Sequence, residues 1–401
     1  MLTCPVTGVK IGQIAEHPVL GYGFRPFFVL AGVYGALSIA LWLMMWSGVF
    51  KFSSALAPSY FHAHEMIFGF AGAALGGFLL TAVPNWTDLG PVRGWALLVL
   101  VLAWIAGRAA MLLSGVLDPG MVAAADLLFF PLLAVFQVLA IVVRSARRNS
   151  VFIVILVALF VANLGVHLEA LGVSETATWG SRLGLNIFVL AITLVGGRIV
   201  PAFTQSGLKA QGIPTTIHQA PRLDAAAILF VAAMAVADAA HAPGAAVGSL
   251  AGLAALANLA RLMRWCGHLT LRWPLLWVLH LGMAWLVVGL ALKAASGFGL
   301  VPEVAALHAL GAGAIGTMIL AVMTRATLGH TGRDLVAIPG SAIAYLAIGT
   351  AAVLRITTAF LPGMALEFTA VAGVFWAAGF AGFLILYGPI LLTSRPDGRA
   401  G

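Results

Sequence analysis

Charge is scarce in this chain. Of its 401 residues, 8% are Asp, Glu, Lys or Arg, while 62% are hydrophobic. Soluble domains carry about 25% charged residues, so a water-soluble globular fold is excluded. Cysteine is nearly absent too, with only Cys4 and Cys266. No Cys-x-x-Cys or Cys-x-x-Cys-His pattern occurs. A covalently attached c-type haem, a cysteine zinc site and an iron–sulfur cluster therefore lack their ligands. No Walker-type glycine loop is present, which argues against an ATP-driven pump. Acidic residues number 13 against 21 basic ones, for a net charge of +8. In a membrane protein such an excess reflects positive loops on one face and does not call for nucleic acid.

Long apolar runs dominate what remains. A β-barrel would show alternating segments of about ten residues, whereas these runs are continuous and suit helices of about 20 residues. Twelve candidate spans follow: 25–48, 61–83, 94–114, 120–144, 151–171, 179–204, 222–240, 244–266, 273–296, 303–326, 338–360 and 366–392. Pro84, Pro119, Pro221, Pro243, Pro274, Pro302 and Pro389 fall near span ends, as helix breakers should. The first run, near Phe24, is too long for a signal-peptide core and reads as a span. No hydrophilic stretch is long enough for another unit. The expected fold is an all-α polytopic membrane protein, one transmembrane domain over residues 1–401.

Loop charge orients it. Of the 21 Lys and Arg residues, only Lys51, Arg108, Arg182, Lys293 and Arg355 fall on the side away from the N-terminus. By the positive-inside rule both termini are cytoplasmic, and both cysteines lie where disulfides are rare. Gly72 and Gly76, and Gly244, Gly248 and Gly252, recur every four residues and suit close helix packing, within the chain more readily than at a dimer face. The sequence leaves the oligomeric state open.

Ionisable groups inside spans are expensive and mark sites or partners. Phe61-His62-Ala63-His64-Glu65 opens span 2. At 1.5 Å per residue, His64 lies about 5 Å below the outer face, His167 about 6 Å and His308 about 8 Å. Arg108 falls at a similar level, with Asp126 in the same half. Imidazoles at one depth on different helices suit a shared iron or copper, or haem between helices. Arg108 and Arg182 suit haem propionates through charge-assisted hydrogen bonds. The alternative is hydrogen bonding between helices. His62 and His64 are about 200° apart around a helix, so they serve different partners if both are helical. His280 lies deeper, as a second metal ligand, a proton relay or a helix contact. Met318 and Met323 are soft-ligand candidates or packing residues. His330, His218 and His268 fall in cytoplasmic loops. Arg25, Asn85-Trp86, Arg198 and Arg325 mark the cytoplasmic ends, as snorkelling residues or as the mouth of a path.

Several motifs carry a resemblance. Gly23-Phe24-Arg25-Pro26-Phe27-Phe28, Phe61-His62-Ala63-His64-Glu65-Met66-Ile67-Phe68-Gly69-Phe70, Leu79-Leu80-Thr81-Ala82-Val83-Pro84-Asn85-Trp86, Gly197-Arg198-Ile199-Val200-Pro201-Ala202-Phe203 and Gly316-Thr317-Met318 through His330-Thr331-Gly332-Arg333 resemble the NnrS family over nearly the whole chain. The resemblance implies a multi-pass protein of the bacterial inner membrane that contains haem and copper and is linked to nitric oxide and nitrosative stress. The topology is also distantly similar to the haem–copper oxidase large subunit, whose spans 2 and 10 hold a low-spin haem. Only His62 or His64, and His308, match that arrangement. Span 6 lacks a His-x-x-x-Tyr and span 7 a His pair, so the oxidase copper site has no counterpart.

The resulting expectation is haem b held by His64 and His308. Arg108 and Arg182 would hold propionates, and His62, His167 and His280 would serve copper, a second haem or supporting contacts. Membrane lipid surrounds the protein, nitric oxide is the ligand, and a redox activity would draw on quinol. An oxidoreductase, a nitric oxide sensor without turnover and a metal or small-molecule transporter are the competing readings.

Overall fold

The computed structural model describes residues 16–49, 53–87, 90–143 and 150–398. Cys4, Lys10, Lys51, Arg144, Arg147, Arg148 and Arg399, used in the charge and disulfide arguments, lie outside the described residues. The described chain is almost entirely helical. We number the helices α1 (Phe24–Trp46), α2 (Pro58–Trp86), α3 (Trp95–Leu112), α4 (Pro119–Val138), α5 (Val151–Ala170), α6 (Ala177–Ala210), α7 (Pro221–Ala239), α8 (Gly244–Met263), α9 (Pro274–Gly297), α10 (Glu303–His330), α11 (Ser341–Thr357) and α12 (Pro362–Leu392). Each coincides with a predicted span. Among the described residues, ten are long and apolar enough to cross a membrane. The other two are α7, which carries Arg222, Asp224 and Asp238, and α11, which has 17 residues.

The helix starts follow local chemistry. Pro58, Pro119, Pro221 and Pro274 occupy first-turn positions, where a missing N–H costs nothing. Asp118 caps α4, accepting from the Gly120 and Met121 amides at 2.9 and 3.2 Å. Pro84 and Pro389 lie inside helices, close to their ends. Past Pro389, the fully buried Arg25 of α1 donates to the Leu391 and Thr393 carbonyls at 2.9 and 2.6 Å. It therefore joins the first helix to the last instead of reaching for water. α10 runs on to His330, so that residue ends a helix and does not lie in a loop.

Burial separates inner from outer helices. In α2, α6 and α10, 83%, 67% and 67% of the most apolar stretch is buried, against 39–56% in the other seven spans. These three form the centre, and α12 packs on α1 to close the surrounding ring. Small residues permit the close approaches. Gly72 and Gly76 face the Phe130 and Phe129 rings at 3.2 and 3.0 Å from where a Cβ would stand. A Cβ on Gly248 would meet the Ala294 carbonyl oxygen at 2.9 Å, so the glycine stripe of α8 packs within the chain, on α9.

Two inner helices depart from α geometry. α2 is π-helical over Glu65–Ala71 and α10 over Ala309–Gly316. Each π segment begins directly after a histidine, His64 or His308. Such segments often accompany functional sites, because the extra residue per turn re-aims side chains.

Candidate functional site

The polar groups at the head of α2 sort onto two faces. His64 and Glu65 turn toward α3, α4 and α5, whereas His62 turns toward α1 and α10.

On the first face six side chains close on one another. His64 Nδ1 donates to Glu65 Oε1 at 2.7 Å, and Arg108 donates to the same oxygen at 2.8 Å. Arg108 also pairs with Asp126 Oδ1. Asp126 Oδ2 accepts from Asn163 Nδ2 at 2.7 Å and from His167 Nε2 at 2.8 Å. His64 Nε2 lies 3.1 Å from that oxygen and 2.8 Å from Asn163 Oδ1. All six residues are at most 6% exposed. Glycine makes the room. A Cβ on Gly69, within the π segment, would stand 2.8 Å from the Arg108 guanidinium, and one on Gly107 would stand 3.0 Å from the Asp126 backbone.

Donor counting shows what this cluster lacks. Two ionised carboxylates and one guanidinium leave one negative charge when the imidazoles are neutral. Both ring nitrogens of His64 face oxygen acceptors, and a neutral imidazole donates from only one. The cluster therefore has a place for one further cation, a second proton on His64, a proton on Glu65 or a metal ion against His64 Nε2. His64, Asp126 and His167 each offer a ligand atom, all within 4.8 Å of one another. Imidazole with carboxylate suits a transition metal. The close packing leaves no room for a macrocycle.

On the second face the rings are open. His308 Nδ1 donates to the Val304 carbonyl at 2.8 Å, which leaves Nε2 as a free lone pair. A backbone bond of this kind is how proteins orient metal-binding imidazoles. His62 stacks on Trp42 of α1, with centroids 4.5 Å apart and planes 30° apart. It lies within electrostatic reach of His308 and Arg355. Among the described residues, neither His62 nor His308 Nε2 has a hydrogen-bond partner. Arg355 stands 5.9 Å from the Trp42 ring centre and donates to Thr358 Oγ1 at 2.6 Å.

The single histidine layer read from depth is thus two groups. His64, His167 and Arg108 come together, with His308 beside His62 instead. Arg108 and Arg182, the expected propionate partners, are both engaged by carboxylates. Arg182 pairs with Glu303, and Lys293 joins that group through Glu303 at 3.9 Å while pairing with Asp238 at 3.0 Å. Asn186 also donates to Asp238, at 2.7 Å. His280 belongs to neither histidine group, and its Nε2 shares a hydrogen bond with the Thr204 hydroxyl at 2.9 Å. The sequence reading missed Asn163, Trp42 and Arg355 as site residues. Asn163 carried a usable signal, since it stands one helical turn before His167.

Fold and site together define a multi-pass helical membrane protein with a buried His/His/Asp cluster able to take a metal ion. The chain belongs to the NnrS family, whose model, described as NnrS protein, matches residues 18–395. A search among curated proteins gave no match.

Proposed function

We propose that this chain is a haem- and copper-containing protein of the bacterial inner membrane, with twelve spans and cytoplasmic termini, that acts on or binds nitric oxide in nitrosative-stress tolerance. The observation that carries the reading is the open imidazole pair at the heads of two inner helices. His308, held through Nδ1, and His62, held on Trp42, would ligate haem b from α10 and α2. Their free nitrogens fit an iron ligand set, whereas the close packing around His64 leaves no room for a macrocycle. Arg355 would hold a haem propionate through charge-assisted hydrogen bonds. His64, His167 and Asp126 would hold copper, the cation their acceptors call for. When bound, haem iron and Cu(I) supply metal centres that nitric oxide can ligate.

The chain's own residues do the rest. Val304 fixes which nitrogen His308 presents, and Trp42 fixes the plane of His62. Asp126 holds His167 and Asn163 in place, and Arg108 balances its charge away from water. A turnover activity would take electrons from membrane quinol.

A visible spectrum of purified protein tests the assignment. We expect a Soret band that His308→Ala and His62→Ala each abolish and His64→Ala retains. Full haem in both of the first two variants would overturn it. Nitric oxide consumption by the haem-loaded protein with a reductant supports an enzyme. A spectral shift without consumption reduces the role to binding or sensing. Absence of any chromophore, with metal flux in proteoliposomes, would favour a transporter.

A further inference from the structure

Beyond the histidine groups, toward the C-terminal halves of the inner helices, lies an apolar cavity of about 80 Å³. Phe28 of α1, Ala74 and Phe78 of α2, Ile192 of α6 and Met318 and Val322 of α10 are among its walls. Met318 and Met323 both line it, so the soft-ligand candidates of the sequence are wall residues of this space. The lining positions on α6 and α10 recur at helical spacing, ending at Ile199 and Met323. The α6 stripe continued by one turn from Ile199 reaches Phe203, and Arg325 follows Val322 by three residues on the same face of α10.

Among the described residues Arg325 has no counter-charge. It is 7% exposed, and its guanidinium lies 4.2 Å over the Phe203 ring. Among the described residues it has no carboxylate partner and no hydrogen bond. A snorkelling arginine keeps its head in water, but this head lies over an aromatic face, and the residue as a whole keeps only a small accessible area. A lone charge inside a spanning helix is costly and marks a place for a partner.

We propose that the cavity and Arg325 form a binding site for a single-chain anionic lipid of the fatty-carboxylate class. The carboxylate pairs with the guanidinium and the hydrocarbon chain occupies the cavity. The planar fork of arginine matches a carboxylate bidentately. The orientation also matches a bilayer amphiphile. Arg325 stands five residues from the end of α10, about 8 Å along the axis, close to the headgroup level, and the cavity extends inward from it. A neutral-headed molecule such as a quinone would fill the cavity but leave the charge uncompensated. This site is independent of the haem and copper reading.

Displacement of cis-parinaric acid from the purified full-length protein tests the proposal. Oleate should displace the probe, and oleyl alcohol and decyl-ubiquinone should do so at least about tenfold less well. Arg325→Gln should weaken oleate about tenfold or more, a difference of about 1.4 kcal/mol, while Arg325→Lys keeps the charge without the fork and recovers only part of the affinity. Ile192→Trp fills the cavity without touching Arg325 and should abolish probe binding in protein that retains its thermal transition. Oleate affinity unchanged in Arg325→Gln, probe binding retained in folded Ile192→Trp, or displacement by oleyl alcohol or decyl-ubiquinone equal to that by oleate would each overturn it.

Discussion

His62 and His64 stand two residues apart on α2, yet their surroundings are opposite. His64 is fully buried and every polar atom it presents meets another side chain. His62 is half-buried, stacked on Trp42, with no hydrogen bond among the described residues. The first group spans α2 to α5 and is held by charge. The second joins α1, α2, α10 and α11 and is held by ring packing and one backbone bond. A satisfied polar network rigidifies its surroundings. Open imidazoles contribute little to stability and are available for ligation. The difference separates a face closed by charge pairs from one whose imidazole nitrogens are left open.

The largest effect that separates the faces is on bound haem. His308→Ala removes the ligand with the fixed tautomer, and we expect complete loss of the Soret band with the thermal transition of the protein little changed. The inverse is expected at the other face. Arg108→Ala leaves Glu65 and Asp126 both buried without their shared cation, and breaking a buried pair in this way costs about 3–5 kcal/mol. Thermal unfolding in detergent measures it. Arg108→Lys should recover only part, because one ammonium cannot reproduce the planar fork that reaches Glu65 and Asp126 together. Equal haem loss and equal destabilisation in the two variants would erase the contrast.

The helices were legible in the sequence because apolar runs and prolines report them directly. That His64, His167 and Arg108 stand at one level along their helices was legible too, since helical rise converts position into height. The split of His62 from His64 was legible as well, but which neighbouring helices each one faces was not. The π segments after His64 and His308 shift every later side chain, and nothing in Glu-Met-Ile-Phe-Gly-Phe-Ala or Ala-Leu-Gly-Ala-Gly-Ala-Ile-Gly announces them. Depth alone therefore merged two groups that azimuth separates. Arg182 shows a related limit. Its level suited a propionate, but Glu303, distant in sequence, takes it up. The roles of Trp42 and Arg355 depend wholly on which helices α2 meets.

A smaller effect sharpens the closed face. Asn163 is neutral, yet it donates to Asp126 and accepts at His64. Asn163→Leu keeps the branched shape and removes both bonds, leaving buried acceptors with one donor fewer. Such a loss costs about 1–3 kcal/mol, below that of Arg108→Ala because no charge is stranded. Copper bound per protein, measured by elemental analysis, should fall in this variant while the Soret band stays.

The smallest effect belongs to the open face. Trp42→Phe keeps an aromatic surface under His62 but narrows it, and ring pairs of this kind contribute about 0.5–1.5 kcal/mol. Trp42 also carries Arg355 at 5.9 Å from its ring centre, so the substitution loosens the imidazole and the guanidinium together. We expect haem to remain bound with a displaced Soret maximum and a faster rate of haem loss to apomyoglobin. No change in that rate would mean that the backbone of α2, and not the indole, sets the plane of His62. The open face would then be as rigid as the closed one.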